Sequence, residues 1–173
     1  MIDFRGYEQI PSTKRGCKGQ FETRIEQACR NCTNIKNRQT KARDAGLEII
    51  KEIIENENLL NNQVLAVRIP KEKAKMVNKN ITGLIANLLM GEYQKPILLL
   101  HPVENEETGR LTWEGSARGV EREGFDDFKE YLAQTGLFDY TSGHANAFGA
   151  GIGDDKFDEF IAKSNSDLAN FDF

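Results

Sequence analysis

The stretch Pro96-Ile-Leu-Leu-Leu-His101 is an apolar run that a proline opens and a histidine closes. Such a short, continuous run is typical of a strand that is buried on both faces of a sheet. The preceding segment, Ile81 to Met90, has the composition and length of a buried helix, and Gln63 to Ile69 has the pattern of a strand that Pro70 stops. Strand, helix and strand in this order predict a β-α-β unit with parallel strands.

Further elements are predicted on the C-terminal side of this unit. Strands are expected at Leu111–Arg118 and Ala145–Ile152, and amphipathic helices at Phe125–Ala133 and Phe157–Leu168. The predicted fold is therefore α/β, with a mixed β-sheet of about four to five strands flanked by helices. We assign residues 59–173 to this domain.

A long helix is predicted to precede the domain. Between Phe21 and Asn58 there is no proline, and apolar or small residues recur in steps of three and four, as along a heptad seam. Such a helix would be about 50 Å long, so we expect part of its seam to pack against another partner. We therefore interpret residues 21–58 as an interdomain linker helix, with a plain helical hairpin arm as the alternative, and residues 1–20 as a basic loop.

Charge is distributed unevenly along the chain. Residues 1–50 carry ten Lys and Arg against six Asp and Glu, whereas residues 120–173 carry four against twelve. We therefore expect a polyanion to bind the basic N-terminal part of the chain or a local pocket, and not the acidic C-terminal part. Lys14, Arg15 and Lys18 alternate with glycines and are candidate nucleic-acid contacts, although a merely solvated loop has the same composition.

Several classes of protein are disfavoured by the sequence. No apolar run approaches the roughly 20 residues of a membrane span, and the N-terminus lacks the layout of a signal peptide, so we expect a cytoplasmic protein without a membrane partner. The three cysteines are odd in number and fit reduced thiols. Cys29 and Cys32 have zinc-like spacing, but a four-ligand site would need Cys17 and a distant histidine, so two ordinary thiols on a helix are favoured.

Two glycine-containing stretches carry the candidate site. In Gly115-Ser-Ala-Arg-Gly119, Ser116 and Arg118 lie two residues apart and therefore on one side of a strand, where both can donate to a phosphate; we expect the bracketing glycines to expose backbone N–H groups. In Ser142-Gly-His-Ala-Asn-Ala-Phe-Gly149, small residues around His144 leave room for a ligand or another backbone. Together they predict a phosphate pocket. The alternatives are a solvated arginine and a strand packed tightly under a helix.

These stretches resemble the Gly-Ser-x-Arg and Gly-Gly-His-x-x-Ala-Ala-Gly motifs of the DHH-associated C-terminal domain in RecJ-like phosphoesterases. Thr82-Gly-Leu-Ile-Ala86 is similar to the Gly-x-x-Ala helix of that family. The segments Ile10–Gly16 and Asn34–Gln39 look most like the phage or prophage branch of its single-strand-specific exonucleases. Two positions depart from the motif: Ser142 replaces a glycine, and Phe148 places a bulky ring where a small residue is usual, which changes the expected shape of the pocket.

The resemblance implies a nucleic-acid-binding C-terminal domain of a 5'-to-3' single-stranded-DNA exonuclease, which closes over the catalytic DHH domain of the same protein. Single-stranded DNA, or RNA or another oligonucleotide, is then the ligand. Ser116 and Arg118 would hold a phosphate, while Gly143 and His144 would contact the phosphate next to the scissile bond, where His144 stabilises developing charge. The alternatives are the substrate-binding lid of a nanoRNA or cyclic-dinucleotide phosphodiesterase, and a non-catalytic adaptor.

Catalytic metal ligands are not evident in the sequence. Two-metal hydrolysis needs several Asp and His ligands around the ions, yet there is no Asp-His-His triplet and the histidines are His101 and His144 alone. We interpret the pairs Asp126-Asp127 and Asp154-Asp155 as helix N-caps. We therefore expect no cofactor in this chain and Mn²⁺ or Mg²⁺ in another domain of the intact enzyme. The catalytic ligands would lie outside this sequence or on another polypeptide, which leaves these residues inactive alone.

Overall fold

The computed structural model of the protein describes residues 4–173 and divides the chain into two units, Met1–Lys41 (unit 1) and Ala42–Phe173 (unit 2). The first three residues of the predicted basic loop lie outside the described part. One long helix, α1, begins in unit 1 and ends in unit 2.

Unit 1 contains a β-hairpin that the sequence analysis missed. Strand β1 (Gln9–Pro11) pairs antiparallel with β2 (Phe21–Thr23). The prediction that residues 1–20 form a loop is therefore wrong at β1. The segment between the two strands contains two turns, and Gly16 and Gly19 adopt φ angles of 85° and 84° that favour glycine.

The long helix is confirmed, and a capping box fixes its first turn. Helix α1 spans Arg24–Asn56. The Thr23 hydroxyl accepts from the Glu26 amide at 3.1 Å, and the Glu26 carboxylate accepts from the Thr23 amide at 2.8 Å. This reciprocal pair satisfies two donors at the helix start. The predicted start at Phe21 is wrong because Phe21 belongs to β2. The linker role of the helix stays a prediction.

Unit 2 is built on the predicted mixed sheet, which has five strands in the order β3-β4-β5-β7-β6. Only β3 and β4 pair in parallel, as predicted, with helix α3 in the connection between them, and the other pairs are antiparallel. The strands are β3 (Leu65–Arg68), β4 (Ile97–Glu104), β5 (Leu111–Arg118), β6 (Phe138–His144) and β7 (Ala147–Gly153). The helices are α2 (Lys71–Ala74), α3 (Thr82–Tyr93), α4 (Phe128–Thr135) and α5 (Asp154–Asp167).

Two hydrophobic clusters lie on opposite faces of the sheet. One cluster joins α1 and α3 to residues of β3 and β4, including Leu99. The other joins α4 and α5 to residues of all five strands except β6, including Leu98, and Phe138 of β6 packs against its border. Because neighbouring residues of β4 enter opposite clusters, the 96–101 run is buried on both faces, as its composition predicts.

Three local features of unit 2 differ from the sequence-based predictions: strand β6, the start of α4 and the N-cap of α5. Strand β6 was not predicted, and helix α4 begins at Phe128 rather than Phe125. Asp127 caps α4 as predicted, since its carboxylate accepts from the Glu130 amide at 2.7 Å. The prediction that the second aspartate pair caps α5 is wrong: Gly153 is the N-cap residue and has no side chain, and Asp154 accepts from the indole N–H of Trp113 at 2.6 Å.

Within residues 4–173, no helix has both the length and the apolar character needed to cross a membrane. Cys17, Cys29 and Cys32 are free thiols.

The hairpin of unit 1 is tied to α1 by an ion pair. Both Nη atoms of Arg30 donate to the Glu22 carboxylate, which also accepts from the Thr13 amide at 3.1 Å. The hydrogen bonds from Arg30 lower the pKa of Glu22 from 4.5 to about 2, because they stabilise its charged form. A depressed folded-state pKa means that this pair stabilises the fold above about pH 4.5 and that its contribution is lost as the pH falls through about 2.

We therefore expect the Glu22 carboxyl carbon to titrate near pH 2 in an NMR experiment on the whole chain. In Arg30→Ala the same carbon should titrate at a clearly higher pH, since both hydrogen bonds from Arg30 are gone and only weaker donors such as the Thr13 amide remain. Arg15→Ala removes an exposed charge from the same unit and serves as the control, with no change at Glu22. Equal Glu22 titrations in the wild type and Arg30→Ala would contradict the ion pair.

Candidate phosphate-binding site

Register aligns the candidate residues in three rows across the sheet. Residues that pair directly in adjacent strands share a face, so each row runs from β4 through β5 and β7 to β6. The first row is Ile97, Arg118, Ala147 and His144; the second is Leu99, Ser116, Gly149 and Ser142; the third is His101, Glu114, Gly151 and Tyr140. The predicted site residues Ser116, Arg118 and His144 therefore lie on one face.

This face is open over β7 and β6, while the N-terminal part of α3 lies against β5. Among the buried residues described, the hydrophobic cluster on this side draws only on α1, α3, β3, β4 and the segment before α3. Ala147, Ser142 and His144 are exposed, and Gly149 is half-buried. Ala147 and Gly149 of β7 are therefore not packed under a helix on this face, whereas the opposite face of β7 packs against α4 and α5, as the structural alternative predicts.

Arg118 is a half-buried cation without an acidic partner. One Nη donates to the Ala117 carbonyl at 2.6 Å. The other Nη lies next to Gly83, so close that a Cβ added to Gly83 would be only 2.7 Å from it. None of the ion pairs within residues 4–173 involves Arg118. Burial lowers the pKa of Arg118, because desolvation disfavours its charge. A partly buried charge of this kind favours an anionic ligand.

The N-terminus of α3 lies beside Arg118 and Ser116. The Thr82 hydroxyl donates to the Lys79 carbonyl at 2.9 Å and is 3.0 Å from the Ser116 hydroxyl. Gly83 and Ser116 carry no charge, so they form a neutral wall next to the guanidinium. Thr82 and Gly83 were not predicted as site residues, although the Thr82–Ala86 resemblance pointed to this turn.

Arg118 and His144 face each other across Ala147 without touching. Both pair with Ala147, one from each side, so two strand spacings separate their Cα atoms by about 10 Å. They do not lie on neighbouring strands, because β7 lies between β5 and β6. A ligand that contacts both side chains must span the floor formed by Ala147 and Gly149.

Gly143 does not belong to that floor. It pairs with Phe148, whose ring lies on the α4 side of the sheet, 5.6 Å from the Phe128 ring. Its φ of 136° favours glycine, and its carbonyl accepts from Lys129 Nζ at 3.0 Å. Gly143 therefore shapes the strand end next to His144. The predicted effect of Phe148 on the pocket is wrong for the same reason, since its ring points away from the open face.

The glycines around Ser116 and Arg118 permit close packing rather than exposing N–H groups. A Cβ on Gly115 would collide with the Leu99 carbonyl oxygen, and a Cβ on Gly119 would collide with the Asn146 side chain. The Gly119 amide donates to the Asn146 carbonyl at 3.0 Å. The expectation that both glycines present free amides is therefore wrong. Gly149 differs, because a Cβ there would be no closer than 3.7 Å to any atom of the protein.

The basic residues predicted from the front of the chain form a separate group. Lys14, Arg15 and Lys18 are exposed on the loop between β1 and β2 of unit 1. They lie within five residues of one another and share this loop with Gly16 and Gly19.

Solved structures with a similar fold are exonucleases named RecJ. A RecJ bound to manganese is 15% identical, with a TM-score of 0.55, and matches 86% of this chain and 33% of its own. RecJ from Thermus thermophilus in complex with Mn²⁺ is also 15% identical, with a TM-score of 0.54 over 81% of this chain and 18% of its own. At this level of identity the similarity shows the fold alone.

Sequence similarity to phage proteins is stronger. YorK of Bacillus subtilis (strain 168), provisionally named an SPbeta prophage-derived single-strand DNA-specific exonuclease, is 39% identical over 149 residues, and its counterpart in Bacillus phage SPbeta matches equally. The chain is thus similar in sequence to these phage proteins and similar in fold to RecJ. The sequence matches cover 84% of the chain but only 24% of the relatives, so the chain spans about a quarter of their length. No protein-family model matches the chain.

The described residues do not fit a catalytic two-metal centre. Within residues 4–173 there is no group of three or more His, Cys, Asp or Glu side chains that could hold a metal ion. Each metal of a two-metal site needs several such ligands. No catalytic step is therefore assigned to a metal held by this domain.

Substitution of Gly83 tests the position of Arg118. Gly83→Ala places a methyl group against the Arg118 guanidinium, which can move because it is the end of a flexible side chain. Alanine is favoured over glycine within helices by up to about 1 kcal/mol, so we expect unfolding at the same or a higher temperature. The NMR resonance of Arg118 Nε–H should shift markedly.

Gly91→Ala is the matched control on the same helix, because nothing lies within 4 Å of a Cβ at Gly91. It should give the same gain in helix propensity without changing the Arg118 resonance. Identical Arg118 resonances in the two variants would show that the guanidinium does not lie over Gly83.

Proposed function

We propose that this RecJ-like domain binds single-stranded DNA for a 5'-to-3' exonuclease and closes over a metal-dependent catalytic domain outside these residues. The observation that carries the proposal is Arg118, a half-buried cation without a carboxylate partner beside an open floor of small residues. The names of the phage relatives, which describe single-strand DNA-specific exonucleases, support the choice of nucleic acid.

The arrangement suits a phosphate of a nucleic-acid backbone. The guanidinium can present two donors to one phosphate, the Ser116 hydroxyl adds a third, and the first turn of α3 favours negative charge. Gly149 has no side chain, so a sugar-phosphate backbone can lie close to the sheet. His144, at the other end of the first row, would contact the phosphate next to the scissile bond and stabilise charge that develops there. Gly143 positions His144.

Other parts of the proposal extend beyond this site. The exposed cations Lys14, Arg15 and Lys18 supply additional phosphate contacts from unit 1. RNA and short oligonucleotides carry the same backbone phosphates, so they are also ligands in this proposal. In the intact protein, a catalytic DHH domain holds Mn²⁺ or Mg²⁺, and the protein acts in the cytoplasm.

Arg118 substitutions test phosphate binding. We expect Arg118→Ala to weaken binding of a labelled 12-mer of oligothymidylate by about 1–3 kcal/mol, or about 5- to 150-fold, because two charge-assisted hydrogen bonds are lost. Arg118→Lys should recover only part of the affinity, since the ammonium keeps the charge but not the fork. Fluorescence anisotropy at fixed salt measures both. Arg110→Ala, which removes an exposed cation from the same unit, should have little effect.

Gly149→Ala in the same assay separates a binding floor from a structural strand. The added methyl group makes only ordinary contacts within the protein, so thermal unfolding should change little. It fills space between Ser116 and Ser142 on the open face, so affinity for the 12-mer should fall. Unchanged affinity in both Arg118→Ala and Gly149→Ala would refute the phosphate site.

The purified chain should not hydrolyse single-stranded DNA in the presence of Mn²⁺ or Mg²⁺, because the described residues lack the ligands for two metals. A nuclease assay with end-labelled substrate measures this directly. Turnover that survives stringent purification and disappears in His144→Ala would contradict the proposal.

A competition experiment distinguishes the proposed exonuclease domain from the substrate-binding lid of a nanoRNA or cyclic-dinucleotide phosphodiesterase. A domain that binds long single strands should bind the 12-mer more tightly than a thymidine dinucleotide, whereas the lid should bind both equally.

A further inference from the structure

His101 is a buried polar side chain without a partner. The residue is 1% exposed, and neither ring nitrogen makes a hydrogen bond within the described part of the chain. Buried polar groups in native proteins nearly always have a hydrogen-bond partner, from the protein, from water or from a ligand. The mechanism proposed above does not use this imidazole.

The ring lines an open cavity of about 280 Å³. Its other polar lining residues are Lys79, Thr82, Glu114, Ser116 and Tyr140. Ser116 belongs to the second row and also to the phosphate site, whereas His101, Glu114 and Tyr140 make up the third row. Rows follow one another every two residues along a strand, which is about 7 Å. The cavity therefore lies directly beside the phosphate site on the same face of the sheet.

The chemistry of the third row differs from that of the phosphate site. Glu114 provides a carboxylate that accepts from the Tyr140 hydroxyl at 3.3 Å and would repel a phosphate. Burial, and to a lesser extent the charge of Lys79, lower the pKa of His101, so its ring is neutral at pH 7, with one donor and one acceptor nitrogen. The cavity thus combines a carboxylate acceptor with an imidazole that can both donate and accept.

An aromatic ring completes the cavity. The Tyr140 ring lies against Gly151, where any Cβ would collide with it. The residue is nevertheless 43% exposed, which leaves ring surface available for stacking. Stacking on aromatic side chains is a common way to hold the bases of single-stranded nucleic acids.

We propose that the third row, His101, Glu114 and Tyr140, is a subsite for a nucleobase of the strand whose phosphate Arg118 holds. The base stacks on Tyr140 and donates to the Glu114 carboxylate, while His101 binds a further group on the base edge. Guanine fits best, because its adjacent N1–H and N2–H groups can both donate to one carboxylate, whereas the other bases present an acceptor beside their donor. The subsite presupposes the phosphate site of the proposed function.

Affinities for defined oligonucleotides test this subsite. The probes are a 12-mer of oligothymidylate and the same 12-mer with three central thymidines replaced by deoxyguanosine, bound to the whole chain in the anisotropy assay. We expect the guanine-containing probe to bind at least about 5-fold more tightly, the lower limit for a bidentate base contact. In Glu114→Gln and in His101→Leu, the ratio of the two affinities should fall toward one. Glu106→Gln, which removes an exposed charge outside the cavity, should leave the ratio unchanged.

NMR of the imidazoles gives a second readout. The chain has two histidines, so His101→Leu assigns the His101 signals directly. Titration with guanosine 5'-monophosphate should shift the His101 ring nitrogens, and titration with thymidine 5'-monophosphate should shift them less. A purely structural role for His101 predicts altered stability in His101→Leu with an unchanged affinity ratio, and that result would overturn the subsite.

The two proposals fail in distinguishable ways. If oligothymidylate binding depends on Arg118 but the affinity ratio is one in the wild type, the phosphate site stands and the base subsite is wrong. If neither probe binds, or if binding does not depend on Arg118, the proposed function fails and the base subsite fails with it.

Discussion

Register between antiparallel strands is the constraint on which the candidate site depends. No two of Arg118, Ala147 and His144 lie on the same strand, and they share one row only because β5, β7 and β6 pair as they do. The close approach of β4 to β5 requires Gly115, since a Cβ there would collide with the Leu99 carbonyl. A slip of one residue would move every side chain of a strand to the other face and separate the three rows.

The two faces of the sheet are covered unequally by helices. Helices α4 and α5 cover one face, where Phe148, Ala150 and Ile152 of β7 are buried. On the other face, α1 and α3 cover β3 and β4, while Ala147 of β7 is exposed and Gly149 is half-buried. Strand β7 therefore contributes to the hydrophobic core from one face only, while Ala147 on its opposite face is exposed. The N-terminus of α3 and Arg118 lie at the border between the covered and the open half.

Sequence patterns predicted the elements with strong periodicity and missed those defined by pairing. The parallel unit and the long helix follow from apolar runs and spacing. Strand β6 was missed because Phe138–His144 is an edge strand with mostly exposed, polar residues and a bulge near Asp139. The β1–β2 hairpin was missed because each strand has only three residues. The start of α1 was readable from the sequence, since Thr23 and Glu26 have the spacing of a capping box. His101 and Glu114 become neighbours only through register, which the sequence does not reveal.

The motif residues that carried the resemblance have two different physical roles. Gly115 and Gly119 are needed by the protein itself, because other atoms of the domain occupy the space of their missing side chains. Gly149 is not required for internal packing, and its missing side chain leaves space on the open face instead. Phe148 is compatible with the site because strand alternation directs its ring into the core beside Phe128. The departure from the motif at Phe148 therefore affects packing on the buried side, whereas the departure at Ser142 places a small side chain on the open face.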